Sequence, residues 1–299
     1  MRIVWVLVGL AVAGGVGYGA LALWPLDADA AIERSLEGDP MRGAYLARAS
    51  GCIGCHTDID GGGKPLAGGP ALDTDFGTFY APNITTDDNV GIGAWSLADF
   101  ATAVRRGISP DGEPYYPVFP YTFYSRLTDQ DVADLYAAFQ TVAPVAEPAP
   151  RSDVSFPFSE RAGMKLWRAL YFQGEPFEPD PERSDILNRG KYLVEGPLHC
   201  GACHTPRNPF GARDVEHRFG GSDALPGEGK APPITASALA ENGWTVPSLA
   251  YALKSGLTPS GDAFGGLMGE VVRDSTAFLN EPDRNAIAAF LMGEEDPKQ

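Results

Sequence analysis

From Ile3 to Trp24 the chain runs 22 residues without a charged side chain. As a helix this run is about 33 Å long, enough to cross the roughly 30 Å hydrocarbon core of a bilayer. Arg2 precedes it, and Asp27 and Asp29 follow it. The positive-inside rule then puts the N-terminus in the cytoplasm and everything after Leu26 on the far side. Ala20-Leu21-Ala22 could instead end a cleaved leader, but leader cores run about 7–15 residues. The pattern predicts an uncleaved transmembrane anchor over residues 1–26.

Past the anchor, apolar positions recur at helical intervals in short segments divided by Gly and Pro. Arg42-Gly-Ala-Tyr-Leu46 predicts a helix that runs on toward Cys52. Trp95-Ser-Leu-Ala-Asp-Phe100 opens a middle helix, with Ser96 as N-cap and Gly107 as its end. Val132, Leu135, Tyr136 and Phe139 follow i, i+3, i+4, i+7 behind Thr128, with Asp131 completing an acidic capping box.

The same series then recurs, which makes it an internal repeat. Arg189-Gly-Lys-Tyr-Leu193 matches Arg42–Leu46, Ala231-Pro-Pro-Ile-Thr235 matches Ala81-Pro-Asn-Ile-Thr85, and Leu279–Ile287 matches Leu127–Leu135. Trp95 to Gly107 and Trp244 to Gly256 are both steps of 12 residues. Two helical units are expected, at 38–143 and 185–295. A connection at 144–184, carrying seven prolines, joins them. One helical stretch, Glu160 to Phe172, interrupts that connection and sets Met164, Trp167 and Tyr171 on one face.

All four cysteines fall in two motifs, Cys52-Ile-Gly-Cys55-His56 and Cys200-Gly-Ala-Cys203-His204. This is the attachment signature of c-type haem. Two sulfurs about one turn apart can each bond one porphyrin vinyl group, and the adjacent imidazole becomes the proximal iron ligand. Two disulfides would staple a chain of this length poorly. A zinc ribbon keeps its cysteine pairs closer than the 148 residues found here, and a thioredoxin-type site needs a βαβ pattern. The expectation is therefore two covalently bound haem c groups, attached at Cys52, Cys55, Cys200 and Cys203, with His56 and His204 on the irons. The fold expected is mainly α, two tandem cytochrome c domains after an N-terminal transmembrane helix. A unit of this size is marginal without its haem, so the cofactor is part of its core.

The sixth ligands are expected to differ. Met268 lies 64 residues after His204 in Phe264-Gly-Gly-Leu-Met268-Gly and is the ligand expected for the second haem. The same count from Gly107 reaches Phe119 in the first unit, and no Met lies between Met41 and Met164. For the first haem this leaves Met164, an open or water-ligated iron, or a histidine reaching across, His217 or His199. Met41 belongs on the proximal side and His199 adjoins its own motif, so Met164 is favoured by elimination.

The net charge of −16 argues against a nucleic-acid partner, since phosphate binding needs a basic stripe. It suits a redox protein presenting Lys and Arg. The chain resembles the cytochrome c subunits of bacterial membrane-bound alcohol and aldehyde dehydrogenases. The likeness is carried by Asn83-Ile-Thr85, Gly93–Phe100, Arg105-Arg-Gly107, Tyr192–Gly196 and His199–Asn208 and covers about residues 40–293. The resemblance implies a periplasmic electron carrier on the bacterial inner membrane, passing electrons from a dehydrogenase toward quinone, cytochrome bc1 or an oxidase. Those subunits usually carry three haem motifs, and a Met where this chain has Phe119. A di-haem cytochrome c peroxidase, using an open first haem, is the competing expectation, although no distal acid/base pair stands out.

Overall fold

The computed structural model describes residues 2–27, 30, 32–33, 35–225 and 229–294, with the backbone alone at 2–4 and 6–13. The first helix is α1 (Arg2–Leu23). Among the described residues no helix is long and apolar enough to cross a membrane. The side chains of residues 1–4 and 6–13 of the expected anchor, and Asp29 beyond it, lie outside the described residues.

Helix α2 (Pro40–Ala49) starts behind Asp39, whose carboxylate accepts the N–H groups of Met41 and Arg42, with Pro40 in the first turn. It was expected to run on into the first cysteine motif and does not. Gly51 adopts φ +71°, and the motif forms its own short helix, α3 (Cys52–His56). The left-handed residue turns the chain off the α2 axis, a conformation that glycine adopts without strain. A hairpin follows, β1 (Ala71–Thr74) and β2 (Gly77–Tyr80). Helix α4 (Leu97–Ala101) opens on a reciprocal Ser96–Asp99 capping box and continues as a π-helical turn to Gly107. Then come α5 (Tyr121–Tyr124) and α6 (Asp129–Phe139).

The proline-rich connection is not a free spacer. Strand β3 (Asp153–Val154) pairs antiparallel with β2 to make a three-stranded sheet. Asn83 Nδ2 donates to the carbonyls of Val145 and Glu147, and Ser152 Oγ accepts from Tyr80 N. Proline leaves few N–H groups for a ladder of its own, so the segment's carbonyls are met by side chains of the first half. Next comes α7 (Arg161–Tyr171), the helix expected within that connection.

The second half repeats the series with α8 (Asp185–Glu195), β4 (Ser222–Leu225), β5 (Gly229–Ala231), α9 (Ala236–Glu241), α10 (Val246–Ser255), α11 (Gly266–Asp274) and α12 (Glu281–Leu291). Again the long helix stops before the cysteines. His199 takes φ +41°, and Cys200–Ala202 form a 3-10 turn.

Helix α2 crosses α6, and α8 crosses α12, at glycines. A Cβ on Gly43 would sit 1.8 Å from the carbonyl oxygen of Asp134, and one on Gly190 would sit 2.1 Å from that of Ala286. Asp134 and Ala286 occupy the same repeat position, so both halves are built on one backbone-to-backbone crossing. Leu46, Val132, Leu135 and Phe139 are buried around the first crossing, and Leu193, Ile287 and Leu291 around the second.

The halves join through a reciprocal clasp. Tyr45 donates its hydroxyl hydrogen to Asp283 at 2.6 Å and accepts from Asn280 N at 3.3 Å. Tyr192 does the same in reverse, donating to Asp131 and accepting from Thr128 N at 3.3 Å. This corrects the capping box expected at Thr128. The threonine does cap Asp131 N, but the Asp131 carboxylate binds Tyr192 of the other half.

Candidate functional site

One cavity of about 3380 Å³ runs through both halves, and both Cys-x-x-Cys-His motifs line it. The motifs are neighbours across the seam. His199 Cε1 lies 3.8 Å from where a Gly51 Cβ would be, and the His199 ring meets that of Tyr124 edge-on at 5.7 Å. The Tyr124 hydroxyl donates to the carbonyl of Ser50 at 2.6 Å.

The two motif histidines are held identically. His56 Nδ1 is 2.7 Å from the carbonyl oxygen of Pro82, and His204 Nδ1 is 2.8 Å from that of Pro232. A carbonyl only accepts, so both Nδ1 atoms carry the proton and both Nε2 lone pairs stay available to a metal. The prolines are repeat partners within Ala81-Pro82 and Ala231-Pro232. Burial lowers the pKa of both imidazoles against the opposing pull of these hydrogen bonds, which favours the neutral form a metal requires.

The four thiols form no disulfide. Burial pushes Cys52 and Cys200 up to about 12. A redox-active Cys-x-x-Cys pair lowers one of its thiols, and among the described residues no three His, Cys, Asp or Glu side chains come together to hold a zinc ion. This donor set suits neither. Paired thiols beside an imidazole with its Nε2 available, in a large apolar-walled cavity, fit a covalently attached haem.

A repeated backbone loop leads to the place expected for the sixth ligand. Gly107 and Gly256 both end helices in the left-handed region, at φ +60° and +74°. Tyr115 N donates to Gly107 O at 2.8 Å, and Phe264 N donates to Gly256 O at 2.7 Å. Four residues beyond each donor stand Phe119 and Met268, so the two are equivalent by backbone hydrogen bonding as well as by count. Met268 is half-buried against the core in the first turn of α11. Phe119 fills its position with carbon, packed on Tyr115 and Tyr124 at 5.9 and 5.7 Å between ring centroids. Met164 and Trp167, on α7, line the same cavity.

His217 is not brought to the site. It is exposed, and its Nδ1 pairs with Asp214 at 2.8 Å. His199 does line the cavity, with its Nδ1 directed to the carbonyl of Pro197 at 2.9 Å.

The cytochrome c family profile matches residues 40–141. The chain is 42% identical over 279 residues to a di-haem c-type cytochrome of Cereibacter sphaeroides, covering 91% of this chain and 93% of that one. The chain belongs to the di-haem c-type cytochromes. Covalently bound haem c, two groups in the di-haem relative, is its cofactor, and electron transport is its class of function. The cytochrome is also 41% identical to the fructose dehydrogenase cytochrome subunit of Gluconobacter japonicus, over 84% of this chain and 51% of that subunit. It is 39% identical to the cytochrome c subunit of the quinone alcohol dehydrogenase of Gluconacetobacter polyoxogenes, over 91% and 58%. The chain thus spans little more than half the length of these dehydrogenase subunits.

The Tyr–Asp clasp was not anticipated from sequence. Its signal was present, because Tyr45 and Tyr192 are repeat partners, as are Asp131 and Asp283. What was missing is that each pair closes on the other half.

Proposed function

We propose that this cytochrome is a two-haem, one-electron relay anchored in the bacterial inner membrane, with its haem-bearing part in the periplasm. In this reading Cys52 and Cys55 attach one haem with His56 as proximal ligand, and Cys200 and Cys203 attach the other with His204. Two tandem cytochrome c domains, 38–143 and 185–295, would each hold one. The observation that carries the reading is the pair of Nδ1–H···O=C bonds to Pro82 and Pro232, repeated in two halves around one cavity.

Bound haem supplies a reversible one-electron couple whose potential the axial ligand and burial set. The chain's own part is to orient each imidazole, keep water from the haem faces and bring the two motifs together across Gly51, Tyr124 and His199. Met268 would ligate the second iron. Because Phe119 cannot ligate, Met164 would serve the first. The anchor rests on the uncharged run from Ile3 to Trp24. The donor would be a dehydrogenase, as the relatives' names suggest, and the acceptor cytochrome bc1, an oxidase or quinone. The charge of −16 favours a basic docking face on the partner.

Met164→Ala tests the unusual half of this assignment. It should convert the first haem to a high-spin spectrum, and Phe119→Met in the same chain should restore the low-spin one. An unchanged spectrum in Met164→Ala would remove Met164 from the iron. A high-spin first haem in the unaltered protein, with rapid peroxide turnover after half-reduction, would favour the peroxidase reading that Phe119 permits.

A further inference from the structure

The two motif histidines are each followed by a threonine that closes a loop in the same way. Thr57 Oγ1 accepts from Leu66 N at 3.0 Å, and Thr205 Oγ1 accepts from Phe219 N at 3.2 Å. What lies inside the two loops differs. Residues 58–65 carry Asp58, Asp60 and Lys64, whereas 206–218 are longer and bring in Arg207, Arg213 and Arg218 beside Asp214, which His217 binds, and Glu216.

These arginines stand at the seam, on the wall of the shared cavity. The Arg213 guanidinium lies 3.8 Å above the Phe123 ring of the first half, and its Nη2 is 3.4 Å from Thr122 Oγ1. Phe123 in turn lies 3.5 Å from where a Cβ on Gly201 of the second motif would be. Arg207 donates only to the carbonyls of Gly211 and Ala202. The nearby carboxylate, Glu195, is already shared by Arg218 and Arg126. Among the described residues, then, Arg213 and Arg207 have no carboxylate partner. Burial, with Arg207, Arg218 and Arg126 close by, brings Arg213 down to about 10. A half-buried cation facing other cations is destabilising unless an anion joins it. The protein as a whole is strongly acidic, so this cationic cluster runs against its general charge.

We propose that Arg213, supported by Arg207, is the counter-ion for a carboxylate of the second haem and so raises that haem's midpoint potential. The inference rests on the haem reading above. A haem attached at Cys200 and Cys203 carries two carboxylates covalently into this cavity. A fixed positive charge beside them favours the reduced, less positive iron. Burial shields the pairing from salt far better than an exposed partner contact would be shielded.

The test uses the intact, haem-loaded chain and its variants Arg213→Gln and Arg213→Lys. Haem is counted by mass, and both midpoints are measured at low and high ionic strength. Arg213→Gln should lower the midpoint of the second haem, the one that Met268→Ala shifts, by a factor of about ten in its electron-exchange equilibrium, about 59 mV for one electron. A shift in the first haem alone would overturn the proposal. Arg213→Lys should recover most of that loss, and the shift should persist at high salt. Two haems with midpoints unmoved by Arg213→Gln would overturn this proposal and leave the haem reading standing. Equal shifts in the Gln and Lys variants would also overturn it, since loss of packing would then be the cause. A wild-type chain lacking covalent haem would sink both readings together.

Discussion

At the scale of single residues, much of the function rests on which atom occupies the place four residues past a repeated loop hydrogen bond. In the second half that atom is a thioether sulfur, and in the first it is an aromatic carbon. Met268→Ala should therefore act on one haem alone. Loss of a thioether ligand should lower the second midpoint by on the order of 0.1 V, part of the ~0.8 V range that axial ligands span, and should turn that haem high-spin. Potentiometry followed by EPR separates this from any general loosening, which would shift both midpoints. The motif cysteines and histidines, and Met268 as a candidate ligand, could be picked out of the sequence because chemistry fixes their type and spacing. His217, left open as an alternative, offered no such signal. A lone histidine has no spacing partner, and only the folded chain reveals its pairing with Asp214 on the surface.

At the scale of elements, the two helix crossings depend on the absence of a side chain. With Cβ positions 1.8 and 2.1 Å from backbone oxygens, no rotamer change can relieve an alanine at Gly43 or Gly190. The helices would have to separate. Gly43→Ala and Gly190→Ala should each cost about 3 kcal/mol or more, at the upper end for overpacking, read as a lowered guanidinium midpoint of the haem-loaded protein. The helices themselves were visible from period and caps, as at Ser96 and Thr128. Their ends at the cysteine motifs were not, because the break at Gly51 and at His199 is set by how the motif must face the cavity, a tertiary demand that periodicity does not carry. The third strand was hidden for a related reason. Asp153–Val154 has no strand-like alternation and pairs only because Asn83 and Ser152 fasten the neighbouring chain.

At the scale of the whole molecule, carboxylates anchor each crossing and help close the clasp between halves. Burial would raise Asp283, yet hydrogen bonds from Arg189 and Tyr45 outweigh it and hold it below the ordinary range. Asp134 is likewise held low, with Arg42, the N–H of Asp39 and Gln130 overcoming burial. Carboxylates lowered in the folded state add stability that is fully present above the unfolded value, about 3.9. That stability is lost as pH falls through their lower folded values. Thermal midpoints should stay level from neutral pH to about 5 and drop below about 4. Tyr45→Phe should weaken that drop, since Asp283 then starts nearer its unfolded value.

The proposed relay requires two unequal haems in one chain. A potentiometric titration of the purified, haem-loaded protein, followed by absorbance and EPR together, tests this most directly. The prediction is two covalent haems per chain, two resolved one-electron midpoints, and two low-spin ferric signals. A single haem, or a ferric first haem that is high-spin in the unaltered protein, would contradict it.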